Sequence, residues 1–181
     1  LGVSRHRLTN IPPLLPLRAG STACLPAHIE KFVVTHTPIL TAIGVFHPYY
    51  DFLTIANAFT DILLEHPAAG LILIDTGFAV DESYRGSVLR TLQENPGAAY
   101  MVLSHLSDDE LLQVLRQSAV LIRGFRHESF GLSRAEAILM GTPVIATNAG
   151  ETRHMTVYEY GDPDDLRRKV IGKKIKEVDV R

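Results

Sequence analysis

Two glutamates, Glu128 and Glu136, lie on either side of a glycine, Gly131, that precedes a predicted helix. A helix N-terminus offers unpaired backbone N–H groups and the positive end of the helix dipole, so the turn of Phe130, Gly131 and Leu132 is suited to hold a phosphate. The flanking carboxylates are suited to neutral hydroxyl groups, because each accepts charge-assisted hydrogen bonds without needing a metal. This arrangement matches the parts of a sugar nucleotide: one carboxylate for the sugar hydroxyls, the backbone amides for the diphosphate, and the other carboxylate for the ribose.

The segments that must position these residues read as strands and helices in alternation. From Phe32 onward short apolar runs alternate with helical patterns, which predicts parallel strands joined by crossover helices. The runs are apolar at nearly every position, as expected of strands buried on both faces of a sheet. They cover residues 38–44, 71–74, 100–103, 120–122 and 144–146. We therefore predict an α/β fold, a doubly wound (Rossmann-like) parallel sheet of about five strands with helices on both faces.

Five segments show helical periodicity between these strands. The best defined begins after Ser107, because Glu110 three residues later completes a capping box. The other four cover residues 52–63, 80–92, 133–140 and 163–170. Ligands of such sheets bind at the carboxyl ends of the strands. This rule places residues 44–51, 75–77, 104–105 and 124–131 along one rim.

Composition limits the classes of protein that the chain can represent. Its 181 residues, 46% of them hydrophobic, suit one domain with a sizeable core. A net charge of −2 provides no general attraction for nucleic acid or for an anionic membrane. The single cysteine, Cys24, excludes an internal disulfide and fits a reducing compartment. No apolar run approaches the ~20 residues of a membrane span, so we expect no transmembrane segment.

The two ends of the chain differ from its middle. Residues 1–31 are rich in proline and poor in periodicity, which predicts an interdomain linker or lead-in. Residues 32–181 form the predicted ligand-binding domain, and the basic end at 172–181 is read as a fraying helix or a truncation point. The chain opens on Leu1 without an initiator methionine, so we expect it to be a piece of a larger protein.

Residues 8–170 resemble the C-terminal, donor-binding half of a GT-B fold glycosyltransferase, of the retaining family 4 (glycosyl transferases group 1). The strongest part is the segment 128–137, which is similar to the paired-glutamate motif of that family, followed by the Gly-Thr-Pro-Val-Ile-Ala stretch at 141–146. Segments 10–13, 106–111 and 161–163 follow in the family's order. The resemblance implies half of a GT-B fold, with the N-terminal acceptor domain absent from this chain.

The resemblance assigns a role to each residue of the motif. It implies that Glu128 is the catalytic-site residue and contacts hydroxyls of the transferred sugar. Phe130, Gly131 and Leu132 would supply backbone amides to the sugar and the diphosphate. Glu136 would accept from the two ribose hydroxyls.

Three further residues are predicted to bind the donor. Gly44 ends the first predicted strand, and Arg126 stands just ahead of Glu128. His105 lies at a strand end on the same rim, where contacts to the base fall in the family. A structural or solvated histidine and a surface arginine are the alternatives for His105 and Arg126.

The chain departs from the family after its first strand. Val45 and Tyr50 stand where the resemblance leads one to expect a pair of cations on the diphosphate. A diphosphate gains negative charge as the glycosidic bond breaks, so the loss of two cations removes transition-state stabilisation. Arg123, Arg126 and His47 are candidates to supply the charge.

The resemblance implies a retaining glycosyltransferase of the hexosyltransferase type. It would transfer a sugar from a nucleotide-diphosphate sugar to an acceptor hydroxyl, in glycan or polysaccharide biosynthesis. No cofactor and no metal are implied, and the acceptor, a glycan or a lipid-linked sugar, would be bound through the missing domain. We expect this chain alone to bind donor without catalysing transfer. A cytoplasmic location is expected, with a membrane-peripheral location of the full-length protein left open.

Two other interpretations remain. The missing cations favour a nucleotide-sugar-binding module that keeps the fold without turnover. Asp75, at the carboxyl end of a strand, also fits a receiver-like signalling domain, but receiver chemistry needs an acidic pair near the first strand, and residues 32–44 contain no Asp or Glu. We predict instead that Asp75 caps the turn that follows it.

Overall fold

The computed structural model describes residues 24–78 and 80–172. In this part of the chain six parallel strands form one sheet in the order β3-β2-β1-β4-β5-β6. The strands are β1 Ile39–Gly44, β2 Gly70–Asp75, β3 Ala99–Ser104, β4 Val120–Arg123, β5 Val144–Thr147 and β6 Thr156–Tyr158. The predicted α/β parallel sheet is confirmed. The proline-rich start of the predicted linker and the basic C-terminal end lie outside the described residues.

Helices connect the strands and cover both faces of the sheet. They are α1 Ala27–Thr35, α2 Phe52–Ile62, α3 Glu82–Gln93, α4 Asp108–Gln117, α5 Leu132–Leu139 and α6 Pro163–Ile171, with a short 3-10 turn at Pro48–Tyr50. Helices α2, α3 and α6 pack against one face, and α1, α4 and α5 against the other. The predicted double winding is therefore confirmed.

Alternate residues of each central strand supply the two core layers. In β1, Leu40 and Ala42 face α2 and its neighbours, whereas Ile39 and Ile43 face the opposite layer. Successive side chains of a strand point to opposite faces, so a strand covered on both sides must be apolar throughout. All six residues of β1 are buried. This is why the apolar runs predicted five of the strands correctly.

The structure differs from the sequence-based prediction at one strand and one helix. Strand β6 has only three residues at the edge of the sheet, too few to form a recognisable run. Helix α1 begins at Ala27, inside the segment predicted as a linker, and buries Ile29 and Val33. The folded unit therefore begins before residue 32.

The predicted capping box at the start of α4 is confirmed. The Ser107 Oγ accepts from the backbone N–H of Glu110 at 3.3 Å, and the backbone N–H of Ser107 donates to Glu110 Oε2 at 2.8 Å. Such reciprocal bonds satisfy two amides that the helix itself leaves unpaired. The box fixes where α4 begins, next to the carboxyl end of β3.

A buried carboxylate, Asp51, ties three elements together below the rim. Its side chain accepts hydrogen bonds from Thr54 Oγ1 at 2.6 Å, from the Tyr158 hydroxyl at 2.9 Å and from the backbone N–H of Gly161 at 3.1 Å. These bonds join the start of α2 to β6 and to the turn before α6. Burial raises the pKa of Asp51, and the three hydrogen bonds oppose that rise.

Strand order reverses between β1 and β4. After β1 the chain adds β2 and β3 on one side, and then crosses to β4 on the other. The loops that follow β1 and β4 consequently leave the sheet in opposite directions and open a crevice, where ligands bind in doubly wound sheets. Gly44 and Arg123 are the last residues of these two strands.

Candidate functional site

Glu128 is held at the crevice by an ion pair that the sequence did not predict. The Nε of Arg123 donates to Glu128 Oε2 at 2.9 Å, and the backbone N–H of Ser129 donates to Oε1 at 3.2 Å. The two side chains are only 12% and 8% exposed. A buried pair with two charge-assisted bonds fixes the orientation of the carboxylate before any ligand arrives.

Arg123 is held by the loop that follows β1. Its Nη1 donates to the backbone carbonyl of Ile43 at 2.6 Å, and its guanidinium carbon lies 5.1 Å from the ring centre of Tyr50 and 5.3 Å from that of Phe125. The two rings stack with centroids 4.4 Å apart. Stacked aromatic faces favour an adjacent cation. Arg123 therefore joins the two sides of the crevice.

Gly44 lies beneath the Tyr50 ring. A side chain at position 44 would come within 2.8 Å of Tyr50 Cγ, so only glycine lets the ring fold over the end of β1. Val45, the other residue that replaces an expected cation, is 4% exposed and belongs to the core. The space after β1 is thus apolar and aromatic.

The turn at the start of α5 has the geometry expected of a glycine turn. Gly131 is the N-cap, and its φ of 72° lies in the left-handed region that favours glycine. Within the described part of the chain, no side-chain hydrogen bond caps this helix. Phe130 is half-buried, and Leu132 is 45% exposed. Because no side-chain hydrogen bond from the described residues occupies the backbone amides of the turn, these amides are available to a ligand.

Glu136 lies one turn further along α5 and is half-buried. Burial raises its pKa, and the negative charge of Asp108, at the first position of α4, raises it further. Among the described residues no hydrogen bond or ion pair engages its carboxylate. Glu136 thus differs from Glu128 in lacking a partner.

The other predicted binding residues lie on either side of this centre. Arg126 is exposed, and its guanidinium carbon lies 5.3 Å from the centre of the Tyr160 ring. His105 is exposed at the end of β3, two strands away from β1, with a left-handed φ of 57°. Asp108, whose charge acts on Glu136, comes three positions after His105 in the chain, so His105 lies on the Glu136 side of the rim.

Arg134 is the residue of the site that sequence reasoning missed. It is 1% exposed, and its Nη1 donates to the backbone carbonyl of Ala149 at 2.9 Å. Its Nε and Nη2 are buried without a hydrogen-bond partner among the described residues. No signal in the sequence separates it from a surface arginine, because it follows a polar serine in a short helix.

Asp75 has the structural role that was predicted for it. Its Oδ1 accepts from the backbone N–H of Gly77 at 3.0 Å and so caps the turn after β2. Within residues 24–78 and 80–172, no group of three or more His, Cys, Asp and Glu side chains is arranged to hold a metal ion. Nor does any helix there have the length and hydropathy of a membrane span.

Comparison with known proteins identifies the family. The family model described as "Glycosyl transferases group 1" matches residues 27–160, and the chain belongs to this family. The match includes both glutamates, the Gly131 turn and the crevice between β1 and β4. Because the chain belongs to this family, the alternative interpretation as a receiver-like signalling domain is abandoned.

Two curated relatives show what the chain is similar to. It is 30% identical over 133 residues to the mouse GDP-Man:Man(3)GlcNAc(2)-PP-Dol alpha-1,2-mannosyltransferase, a stretch that covers 70% of this chain and 27% of that protein. It is 29% identical over 155 residues to the D-inositol 3-phosphate glycosyltransferase of Nocardia farcinica, covering 82% of this chain and 34% of the relative. The chain therefore spans only about a third of these relatives or less.

Solved structures share the fold. The C-terminal domain of the Francisella tularensis group 1 glycosyl transferase LpcC superposes with a TM-score of 0.70 at 15% identity, over 80% of this chain and 78% of that domain. Anabaena HepE, in complex with UDP and glucose, gives a TM-score of 0.70 at 16% identity, over 83% of this chain and 41% of HepE. The predicted half of a GT-B fold is confirmed.

Proposed function

We propose that this chain is the donor-binding half of a retaining glycosyltransferase of the hexosyltransferase type. The donor is a nucleotide-diphosphate sugar, and the acceptor is a hydroxyl of a glycan or of a lipid-linked sugar. The observation that carries the proposal is that Glu128 and Glu136 flank the Gly131 turn in the chain, between β4, whose loop borders the crevice at the strand-order reversal, and the body of α5. A cytoplasmic location and a role in polysaccharide biosynthesis are part of the proposal.

Each part of the donor has a counterpart in this arrangement. Glu128, whose orientation is fixed by Arg123, accepts hydrogen bonds from hydroxyls of the transferred sugar. The amides of Phe130, Gly131 and Leu132 meet the diphosphate at the positive end of α5. Glu136, whose carboxylate has no partner among the described residues, accepts hydrogen bonds from the ribose hydroxyls. The base then extends toward His105, on the far side of Glu136.

The names of relatives support a nucleotide sugar as the donor class. The mouse relative is named for GDP-Man, and the HepE structure holds UDP and glucose. Gly44 and Arg126 border the same crevice, the first beneath Tyr50 and the second above Tyr160. The acceptor is proposed to bind through a part of the protein outside this chain, which we expect to bind donor without transferring its sugar.

A second candidate function is a nucleotide-sugar-binding module without turnover. The observation that favours it is the apolar and aromatic filling after β1, where Val45 is buried and Tyr50 packs on Phe125. A leaving diphosphate needs positive charge near it. If none is present, donor is bound but its glycosidic bond is not broken.

Isothermal titration calorimetry with a panel of sugar nucleotides tests the proposed site. We expect one of them to bind, and we expect Glu136→Ala to weaken that binding by about 10- to 100-fold, because it removes charge-assisted bonds to ribose. Glu94→Ala, a change at the exposed end of α3, is the matched control and should bind as the parent does.

Two results would contradict the assignment. One is the absence of binding by every sugar nucleotide in the panel. The other is equal affinity of the Glu136→Ala variant and the parent. Donor hydrolysis or transfer by the full-length protein would decide between the enzyme and the binding module.

A further inference from the structure

A guanidinium with two unsatisfied nitrogens lies directly behind the Gly131 turn. Arg134 is the third residue of α5, and side chains near a helix start lean back toward its N-terminus. A Cβ atom built on Gly131 would meet the guanidinium, with Arg134 Cζ and Nη2 both at 2.9 Å. The charged end of Arg134 is therefore in contact with the N-cap of the helix.

This position is electrostatically unfavourable for a cation. The N-terminus of a helix carries partial positive charge, and Arg123 adds a second guanidinium nearby. The pKa of Arg134 is lowered, chiefly by burial and then by the charge of Arg123, while the negative charges of Glu128 and Glu151 oppose that change. Glu128 is already bonded to Arg123 and to the backbone N–H of Ser129.

Buried donors without partners are rare, and a buried charge is costly unless it is paired. Arg134 Nη1 has one acceptor, the carbonyl of Ala149, while Nε and Nη2 have none among the described residues. Two adjacent N–H donors of one guanidinium form a planar fork that matches two oxygens of a phosphate or carboxylate. The missing partner therefore has the chemistry of an oxyanion.

Two glycines pack directly against the fork. Gly131 and Gly150 both have φ in the left-handed region, at 72° and 64°. A side chain at Gly150 would lie 3.0 Å from Arg134 Nη2, yet Gly150 is exposed. The guanidinium is thus separated from solvent at this point by a residue without a side chain.

We propose that Arg134 binds a phosphate group of the donor through Nε and Nη2, at the start of α5. A phosphate fits better than a carboxylate, because it has oxygens for the fork and for the helix amides together. Arg134 thereby supplies the positive charge that Val45 and Tyr50 do not. This inference rests on the proposed function, but it concerns a residue to which the family resemblance assigns no role.

The unmodified chain allows a direct test by NMR. Inorganic pyrophosphate is titrated into protein labelled with nitrogen-15, and the arginine Nε–H signals are followed. The Arg134 signal, assigned by its loss in Arg134→Lys, is expected to shift with saturation. The signals of Arg85 and Arg167, both in ion pairs on the layer of the fold that contains α3 and α6, are expected to stay. An unmoved Arg134 signal at saturating pyrophosphate overturns the proposal.

Variants provide the second measurement. Arg134→Met should raise the dissociation constant of pyrophosphate about tenfold or more, and Arg134→Lys should raise it less, since one cation without the fork remains. Arg90→Met, on the opposite layer of the fold, is the matched control and should change nothing. Equal affinity of Arg134→Met and the parent overturns the proposal, and a variant that fails to fold leaves the decision to the Arg134 signal.

The same titrations separate this inference from the proposed function. If a sugar nucleotide binds while the Arg134 signal stays still, the phosphate contact is wrong and the donor site stands. If pyrophosphate moves the signal but no sugar nucleotide binds, the phosphate contact stands and the proposed function is wrong. If the role of Arg134 is purely structural, pyrophosphate should not shift the Arg134 signal, and Arg134→Met should not lower the affinity for pyrophosphate.

Discussion

Glu128 and Glu136 lie in different electrostatic surroundings although both are close to Gly131 in the chain. Glu128 is next to a buried guanidinium. Glu136 is half-buried, and the negative charge of Asp108 adds to the effect of burial in raising its pKa. Glu136 therefore differs from an ordinary glutamate: if it binds neutral hydroxyls, its raised pKa makes that binding more sensitive to acid.

Asp108→Asn tests this difference. Glu136 must be ionised to accept two hydroxyl protons, and its pKa is raised, so donor binding is lost as pH falls through that pKa, earlier than for an ordinary glutamate. Removing the charge of Asp108 lowers the pKa of Glu136 and should move the acid limb of the binding curve to lower pH. Dissociation constants of the bound sugar nucleotide between about pH 4 and 7 measure this.

The matched control for that experiment is Asp164→Asn, an exposed carboxylate in the first turn of α6. It should leave the acid limb unchanged. Protonation of the donor phosphates is common to all three proteins, so it cancels in the comparison. An acid limb that does not move in Asp108→Asn would show that Glu136 does not control binding.

At the residue scale, the sequence predicted correctly that Gly131 precedes a helix, with Glu128 before it and Glu136 inside that helix. The roles of these residues toward a donor stay predictions, and the contacts of the nearby cations were not predicted. The pairing of Arg123 with Glu128 depends on the direction in which the chain leaves β4, which spacing does not determine. Burial of Arg134 depends on what packs over the start of α5, so it needed coordinates.

At the scale of elements, the loop between β1 and α2 is fixed from below by Asp51. This residue has a left-handed φ of 59°, unusual outside glycine, and yet it is 4% exposed and fully engaged in hydrogen bonds. Its bonds to Tyr158 and Gly161 connect the central crevice to the edge of the sheet. The short strand β6 is thereby held by side-chain bonds as well as by its ladder to β5.

Tyr158→Phe should destabilise the protein by about 1–3 kcal/mol, because it deprives a buried carboxylate of a donor. Thermal unfolding followed by circular dichroism measures the change. Tyr49→Phe, at a tyrosine that is 48% exposed, is the matched control and should be close to neutral. Equal melting temperatures of the two variants would mean that the Asp51 contacts contribute little.

The elements themselves were predictable where burial is complete. Strands covered on both faces must be apolar throughout, and α4 carries its own start signal in Ser107 and Glu110. Strand β6 was missed because an edge strand of three residues needs no apolar run. Helix α1 was missed because prolines nearby masked the pair Ile29 and Val33, which pack against the sheet.

At the scale of the whole molecule, one sheet separates two apolar layers that share its strands. Ile72 and Leu73 are neighbours in β2, but they belong to opposite layers. Neither layer can lose its packing without exposing the strands that support the other. The described part of the chain should therefore unfold as one cooperative unit.

Chemical denaturation tests this cooperativity. Midpoints from circular dichroism and from tyrosine fluorescence should coincide, and Phe59→Ala should lower both together by an amount equivalent to about 3–5 kcal/mol, since Phe59 is completely buried. Leu64→Ala, at an 82% exposed residue just after α2, is the control and should leave both midpoints in place. Two separate transitions would show that the layers unfold independently.

The stack of Tyr50 on Phe125 offers an optical view of the crevice. The chain contains no tryptophan, so Phe125→Trp would introduce a single indole next to the Tyr50 ring and beside the guanidinium of Arg123. Indole emission responds to nearby charge and to water, both of which change when a ligand fills the crevice. The emission wavelength of an indole at position 125 would then shift when a ligand occupies the crevice.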